Sequence, residues 1–258
     1  MNIKKSIMKR VDKLVDNIHQ RLAPPPLRTY DHVFSLGFNC EVAFQFLKYN
    51  GFLESNILNW FYTDSSRGLH KALDSFDSVG VDFVPDGKQR LWKDSNHSLW
   101  FHGRGNHRIW KEGADLALLE ADKEELISRA AYLKEKFLRL TQSNDSILFV
   151  YKPPMKELVE PSESAANFIA IRKALADLGF SRFDFMVIVT HDVLASFKKQ
   201  LELSGADSHI IVESIGFHAP TNSVTDGPYD IKGWRRIWSQ NRSCYKATNK
   251  KKKYKFNR

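Results

Sequence analysis

The sequence predicts an α/β protein with a layered, mostly parallel sheet, flanking helices and a Rossmann-like arrangement, preceded by an amphipathic helix at the N-terminus. Three observations carry this. Runs such as Ile147-Leu148-Phe149-Val150-Tyr151 and Phe185-Met186-Val187-Ile188-Val189 are continuously apolar, as strands buried on both faces are. Segments with helical spacing of apolar residues alternate with these runs, the order that builds crossover units. A stripe of Ile3, Ile7, Val11, Leu14, Val15, Ile18 and Leu22 opens the chain with a period close to that of a helix.

Taken in order, residues 1–23 are expected to form a basic amphipathic helix, since Lys4, Lys5, Lys9, Arg10, Lys13 and Arg21 accompany the apolar stripe. Such a helix either lies on an anionic membrane surface or packs on a protein. Pro24-Pro25-Pro26 stops it, and 24–29 reads as a stiff linker. A single α/β domain is expected over 30–244. Its strands are read at 32–36, 56–62, 98–102, 146–151, 184–190 and 208–213. Its helices are read at 41–49, 66–76, 113–142, 162–178 and 192–203. Trp234 and Trp238, spaced i and i+4, fit one more helix that docks both indoles on the body. The lysine-rich segment 245–258 has the composition of a disordered tail.

The chain has 258 residues and a formal net charge of +9. The charge is unevenly placed. Both ends are basic, and the body between residues 28 and 246 carries a net −3. A body of that sign is not a nucleic-acid-binding surface, so no specific nucleic-acid partner is expected. The basic ends either touch an anionic surface or remain solvated. Two cysteines, Cys40 and Cys244, do not make a disulfide framework and fit a reducing compartment. No apolar run is long enough to span a bilayer, and no apolar stretch of signal-peptide type follows the early lysines. Cytoplasmic residence is expected, with the basic ends as a means of peripheral attachment at the inner membrane.

The candidate chemistry centres on Ser35-Leu36-Gly37-Phe38-Asn39-Cys40-Glu41. The run reads as a strand end, a glycine turn and a helix start. Asn39 suits a helix cap, and Cys40 would meet the partial positive charge of the first turn, which favours a thiolate. A thiolate is a nucleophile, and free backbone N–H groups in the first turn can hold an oxyanion. The other reading of Cys40 is a small packed residue.

This run resembles the opening motif of a bacterial family described as papain-like cysteine peptidases, found with surface-polysaccharide genes. The family shows Ser-Leu-Gly-x-Asn-Cys, then Pro-Phe-Asp-Trp about 20 residues later, then an aromatic-His-Asp step. Here the second motif is Ile57-Leu58-Asn59-Trp60 and the third is Trp100-Phe101-His102-Gly103, with the His kept and both acidic residues replaced. The resemblance covers roughly residues 30–155. It implies a cysteine-nucleophile enzyme, either a hydrolase or an acyltransferase, acting in surface-polysaccharide biosynthesis. It pairs Cys40 with His102 as general base.

Asn59 could orient the imidazole, as in Cys-His-Asn triads, or cap a loop. His191 competes with His102 as base, and Asp192 could cap the following helix. Asn39, Trp60, Arg104 and Lys152 are the substrate-binding candidates: Arg104 opens a basic loop suited to an anionic group, and Lys152 ends a strand at the same edge. The substrate expected is a small molecule, glycan or acyl donor. No metal or cofactor is expected. His97, His102 and His107 recur every five residues, which sets them on no common face. The phosphate-binding glycine motifs and an Asp-x-Asp step are absent from the sequence. The non-catalytic alternative is a peripheral membrane scaffold of glycan assembly.

Overall fold

The computed structural model describes residues 27–38, 40–50, 53–59, 61–103, 116–206, 208–217 and 230–243. The expected N-terminal helix, residues 24–26 of the proline linker, the lysine-rich tail, Cys244, Asn39, Trp60 and Arg104 lie outside these residues. Strand β1 (Arg28–Tyr30) runs through Asp31 into β2 (His32–Ser35). Helix α1 (Glu41–Asn50) follows, then β3 (Phe61–Thr63) and α2 (Ser66–Asp74). Next come β4 (Phe83–Asp86), β5 (Leu91–Asp94), β6 (Leu99–Phe101) and the long helix α3 (Leu116–Arg139). The chain continues through β7 (Ile147–Tyr151), α4 (Pro161–Asp177), β8 (Phe183–Thr190), α5 (Leu194–Leu203) and β9 (Ile210–Ile215). Helix α6 (Ile231–Gln240) and β10 (Asn241–Ser243) close the described part.

The expected α/β architecture is present. Four parallel strands form the main sheet in the order β2-β7-β8-β9. Alternate residues cover its two faces. Phe34, Phe149, Phe185, Val187 and Val212 pack with residues of α2, α3, α4 and α5. Val33, Leu148, Val150, Met186, Ile188 and Ile211 pack with α1 and α6. Both faces are thus closed to water, which is why the strand sequences show apolar runs without alternation. The expected Trp234–Trp238 helix is α6. Its indoles stack at 5.7 Å and both are buried.

A second sheet was not anticipated. β3, β6, β5 and β4 pair antiparallel in that order. The segments read as parallel strands at 56–62 and 98–102 belong here, as β3 and β6. Residues 57–59 form a turn instead of a strand, because Asn56 Oδ1 accepts the Leu58 N–H at 2.6 Å. β4 carries Pro85, which reads against a strand but is tolerated at the sheet edge. β1 and β10 pair parallel as a separate two-stranded ribbon. Among the described residues no helix is long and apolar enough to cross a membrane.

The sheet's first strand is pinned at its start by a buried polar network. His32 Nδ1 lies 2.6 Å from Glu54 Oε2, and its Nε2 lies 3.2 Å from Asp145 Oδ2. Lys136 Nζ reaches Glu54 Oε1 at 2.8 Å. Burial opposes charge on His32, but Glu54 and Asp145 outweigh it and hold its pKa above the ordinary 6.5. Burial likewise opposes the Glu54 carboxylate, and His32 and Lys136 hold its pKa below the ordinary 4.5. His32 therefore adds stability that is complete below 6.5 and lost as pH rises through its raised folded value. Glu54 adds stability that is complete above 4.5 and lost as pH falls through its lowered folded value. The Tm gap between the parent and His32→Gln is expected to be widest between pH 4.5 and 6.5 and to narrow at higher pH. A gap that stays flat from about pH 5 to about pH 9 would contradict this linkage.

Candidate active site

Parallel sheets place their sites beyond the carboxyl ends of the strands. Here that edge is formed by the β2–α1 turn, the ends of β7, β8 and β9, and the start of α6. β2 ends at Ser35, and the Leu36 N–H still donates to Val150 O at 2.9 Å. The chain then reverses through two consecutive left-handed residues, Gly37 (φ +82°) and Phe38 (φ +63°). Glycine accepts such a φ without cost, whereas phenylalanine is strained there. Packing holds Phe38 in place: its carbonyl accepts the Thr63 N–H at 3.4 Å, and its ring lies 5.8 Å from Tyr62. Such strain persists only where the surroundings overdetermine it, and it is common at functional sites.

The turn delivers Cys40 to the start of α1, where its carbonyl accepts the first helical bond from the Phe44 N–H at 3.0 Å. The side chain is buried at 8% exposure. Burial pushes the Cys40 thiol up to about 11. This runs against the expected thiolate: burial takes the sulfur out of water, which disfavours its charged form. Among the described residues no hydrogen bond joins Cys40 and His102. The His102 ring is exposed beyond the end of β6, and its carbonyl accepts from Arg129 Nη2 at 2.5 Å.

Asn59 does not orient an imidazole. It is fully buried, its Oδ1 accepts the Ser35 N–H at 2.9 Å, and its Nδ2 donates to Glu54 O at 2.5 Å. Its amide ties the 53–59 segment to the end of β2, which is the loop-capping role. Lys152 does not face a cleft either. It has no exposed surface, and its Nζ lies 2.5 Å from Glu41 Oε2 and 5.9 Å from the Phe38 ring. Burial lowers the Lys152 pKa and Glu41 counters that shift. Glu41 Oε1 also accepts from Trp234 Nε1 at 2.9 Å, so one carboxylate joins α1, the residue that follows β7, and α6.

Sequence reasoning missed this Glu41–Lys152–Trp234 node. The available signal was Glu41 standing on the same helical face as Val42, Gln45 and Phe46, the buried face of α1. His191 follows β8 with an exposed ring, and its Nδ1 lies 2.8 Å from Ser214 Oγ. Val193, not Asp192, occupies the cap position of α5: the helix starts at Leu194, two residues later than the 192–203 reading. Among the described residues, no group of three or more His, Cys, Asp or Glu could hold a metal ion. Compared with known proteins, the chain matches no family model, no curated protein and no solved structure.

Proposed function

We propose that the chain is a cysteine-dependent hydrolase or acyltransferase whose nucleophile is Cys40, carried on a Rossmann-like sheet and acting on an acyl or glycan substrate of surface-polysaccharide assembly. The observation that carries this reading is the strained strand–turn–helix junction, which sets a cysteine at a helix N-terminus on the carboxyl edge of a parallel sheet. The Ser-Leu-Gly-Phe-Asn-Cys resemblance supports the same residue. Because the thiol rests protonated, its proton must leave as the sulfur attacks. His102 is the proposed base, and it must close on the sulfur when substrate binds. The sulfur adds to the substrate carbonyl, N–H groups of the first turn of α1 receive the oxyanion, and the proton returns to the leaving group. Water or a sugar hydroxyl then releases the acyl group.

A Cys40→Ala chain is expected to lose turnover and to keep its fold. Full activity in that variant would end this reading. In a Cys244→Ser background, the alkylation rate of Cys40 by iodoacetamide is expected to climb with pH towards a midpoint near 11. A midpoint below about 7.5 would mean that the thiol is already activated in the resting protein.

The burial of the thiol, with no hydrogen bond to His102, favours a second reading. There Cys40 is a packed residue, and the chain is a peripheral scaffold of glycan assembly held at an anionic membrane by its basic ends. Sedimentation with anionic liposomes separates the two. The scaffold requires binding that weakens with salt and with removal of residues 1–23 and 246–258.

A further inference from the structure

The strand ends of β8 and β9 hold a second group of reactive side chains, at the far edge of the sheet from β2. His191 is tied there by its N–H, which donates to Ile215 O at 3.1 Å. Its Nδ1 meets Ser214 Oγ at 2.8 Å, the spacing of a nucleophile and its base. Ser214 is only 4% exposed, while the imidazole opens to solvent. Arg236 fixes the strand end: its Nη2 donates to Ser214 O at 2.6 Å and its Nη1 to Glu213 Oε2 at 2.9 Å.

A carboxylate stands beside the pair. Asp230 caps α6, taking the Gly216 N–H at 2.5 Å and the Gly233 N–H at 2.9 Å. Burial would raise its pKa, but those two N–H groups, with His191 and Arg236, hold it below the ordinary carboxylate range. A Cβ built on Gly216 would lie 3.3 Å from Asp230 Oδ2 and 4.0 Å from His191 Cδ2. Gly216 therefore lies between the carboxylate and the imidazole edge.

We propose that Ser214 and His191 form a nucleophile–base pair that cleaves carboxylic esters, at a place separate from Cys40. Ser214 Oγ bonds to the ester carbonyl carbon, and its proton passes to His191 Nδ1. The carbonyl re-forms as the C–O bond to the alcohol breaks, and His191 returns the proton to the departing alkoxide. Water then enters by the reverse route, giving acid and alcohol and restoring Ser214. Asp230 is a positioning residue that sets negative charge beside the imidazolium.

The test uses the full chain with a fluorophosphonate probe and p-nitrophenyl acetate. Ser214 is expected to be phosphonylated, with labelling retained in Cys40→Ala and lost in Ser214→Ala. Ester turnover is expected to fall about a hundredfold or more in Ser214→Ala and in His191→Gln. Asp230→Asn removes the charge and keeps one of the two backbone hydrogen bonds, through its remaining oxygen, and is expected to lower kcat while leaving KM unchanged. Ser214→Cys, which retains a nucleophile, is expected to shift reactivity from the fluorophosphonate to iodoacetamide. Absence of probe on Ser214, equal labelling of a folded Ser214→Ala, or loss of labelling in a folded Cys40→Ala would each overturn the proposal.

Discussion

Replacing Lys152 by Ala is expected to cost about 3–5 kcal/mol of unfolding free energy, because it strands a buried carboxylate. Glu41 is 2% exposed, and its two oxygens are held by Lys152 and by Trp234 Nε1. Without the ammonium, Glu41 must either keep an uncompensated charge in the interior or take up a proton. The pair itself is not the source of the stability, since its formation costs the solvation of both ions. The double variant Glu41→Gln/Lys152→Met tests that distinction. The amide still accepts from Trp234, and no buried charge remains. The double variant is expected to recover most of the loss. Urea unfolding of the parent, both single variants and the double variant gives the coupling directly. A Lys152→Ala chain within about 1 kcal/mol of the parent would show that water reaches Glu41 and that the node is not buried in solution.

Gly37→Ala is expected to destabilise by about 2–5 kcal/mol, from two separate sources. At φ +82° a Cβ meets the following carbonyl, which costs roughly 1–2 kcal/mol. The same Cβ would lie 2.6 Å from Cε2 of Phe61, a fully buried ring that packs on Phe101 at 6.0 Å and cannot retreat cheaply. Truncating the obstacle should separate the two terms. In Phe61→Leu, the added cost of Gly37→Ala is expected to shrink to the backbone part. If the Gly37→Ala cost is unchanged by Phe61→Leu, the collision is not what makes the glycine necessary. Because this turn sets the position of Cys40, Gly37→Ala should also alter the alkylation rate of the thiol.

These effects mark where sequence reading stops. The turn residue Gly37, the helix from Glu41 and the two-faced burial of β7 and β8 were legible, because each depends on local spacing and composition. The destination of 56–62 and 98–102 was not. A short apolar run looks the same whether it pairs parallel in one sheet or antiparallel in another, and for β3 the partner choice is made across Phe61↔Phe101, far apart in sequence. β4 was hidden by Pro85, whose missing N–H matters only to a strand with neighbours on both sides.

The candidate site divides in the same way. The sequence by itself determined that a cysteine follows a glycine turn at the head of a helix, because three adjacent residue types specify that junction. It could not determine the charge on that cysteine, since the 8% exposure that raises the thiol comes from the packing of distant segments. Asn59 and Lys152 show the same limit. Each is a polar side chain near a strand end, and either could have faced a substrate. The tertiary structure gave Asn59 two backbone partners and Lys152 a buried carboxylate 111 residues away. A buried polar group must find its hydrogen bonds wherever the fold brings them, so its role is decided by the assembled neighbours and only its chemistry by the sequence.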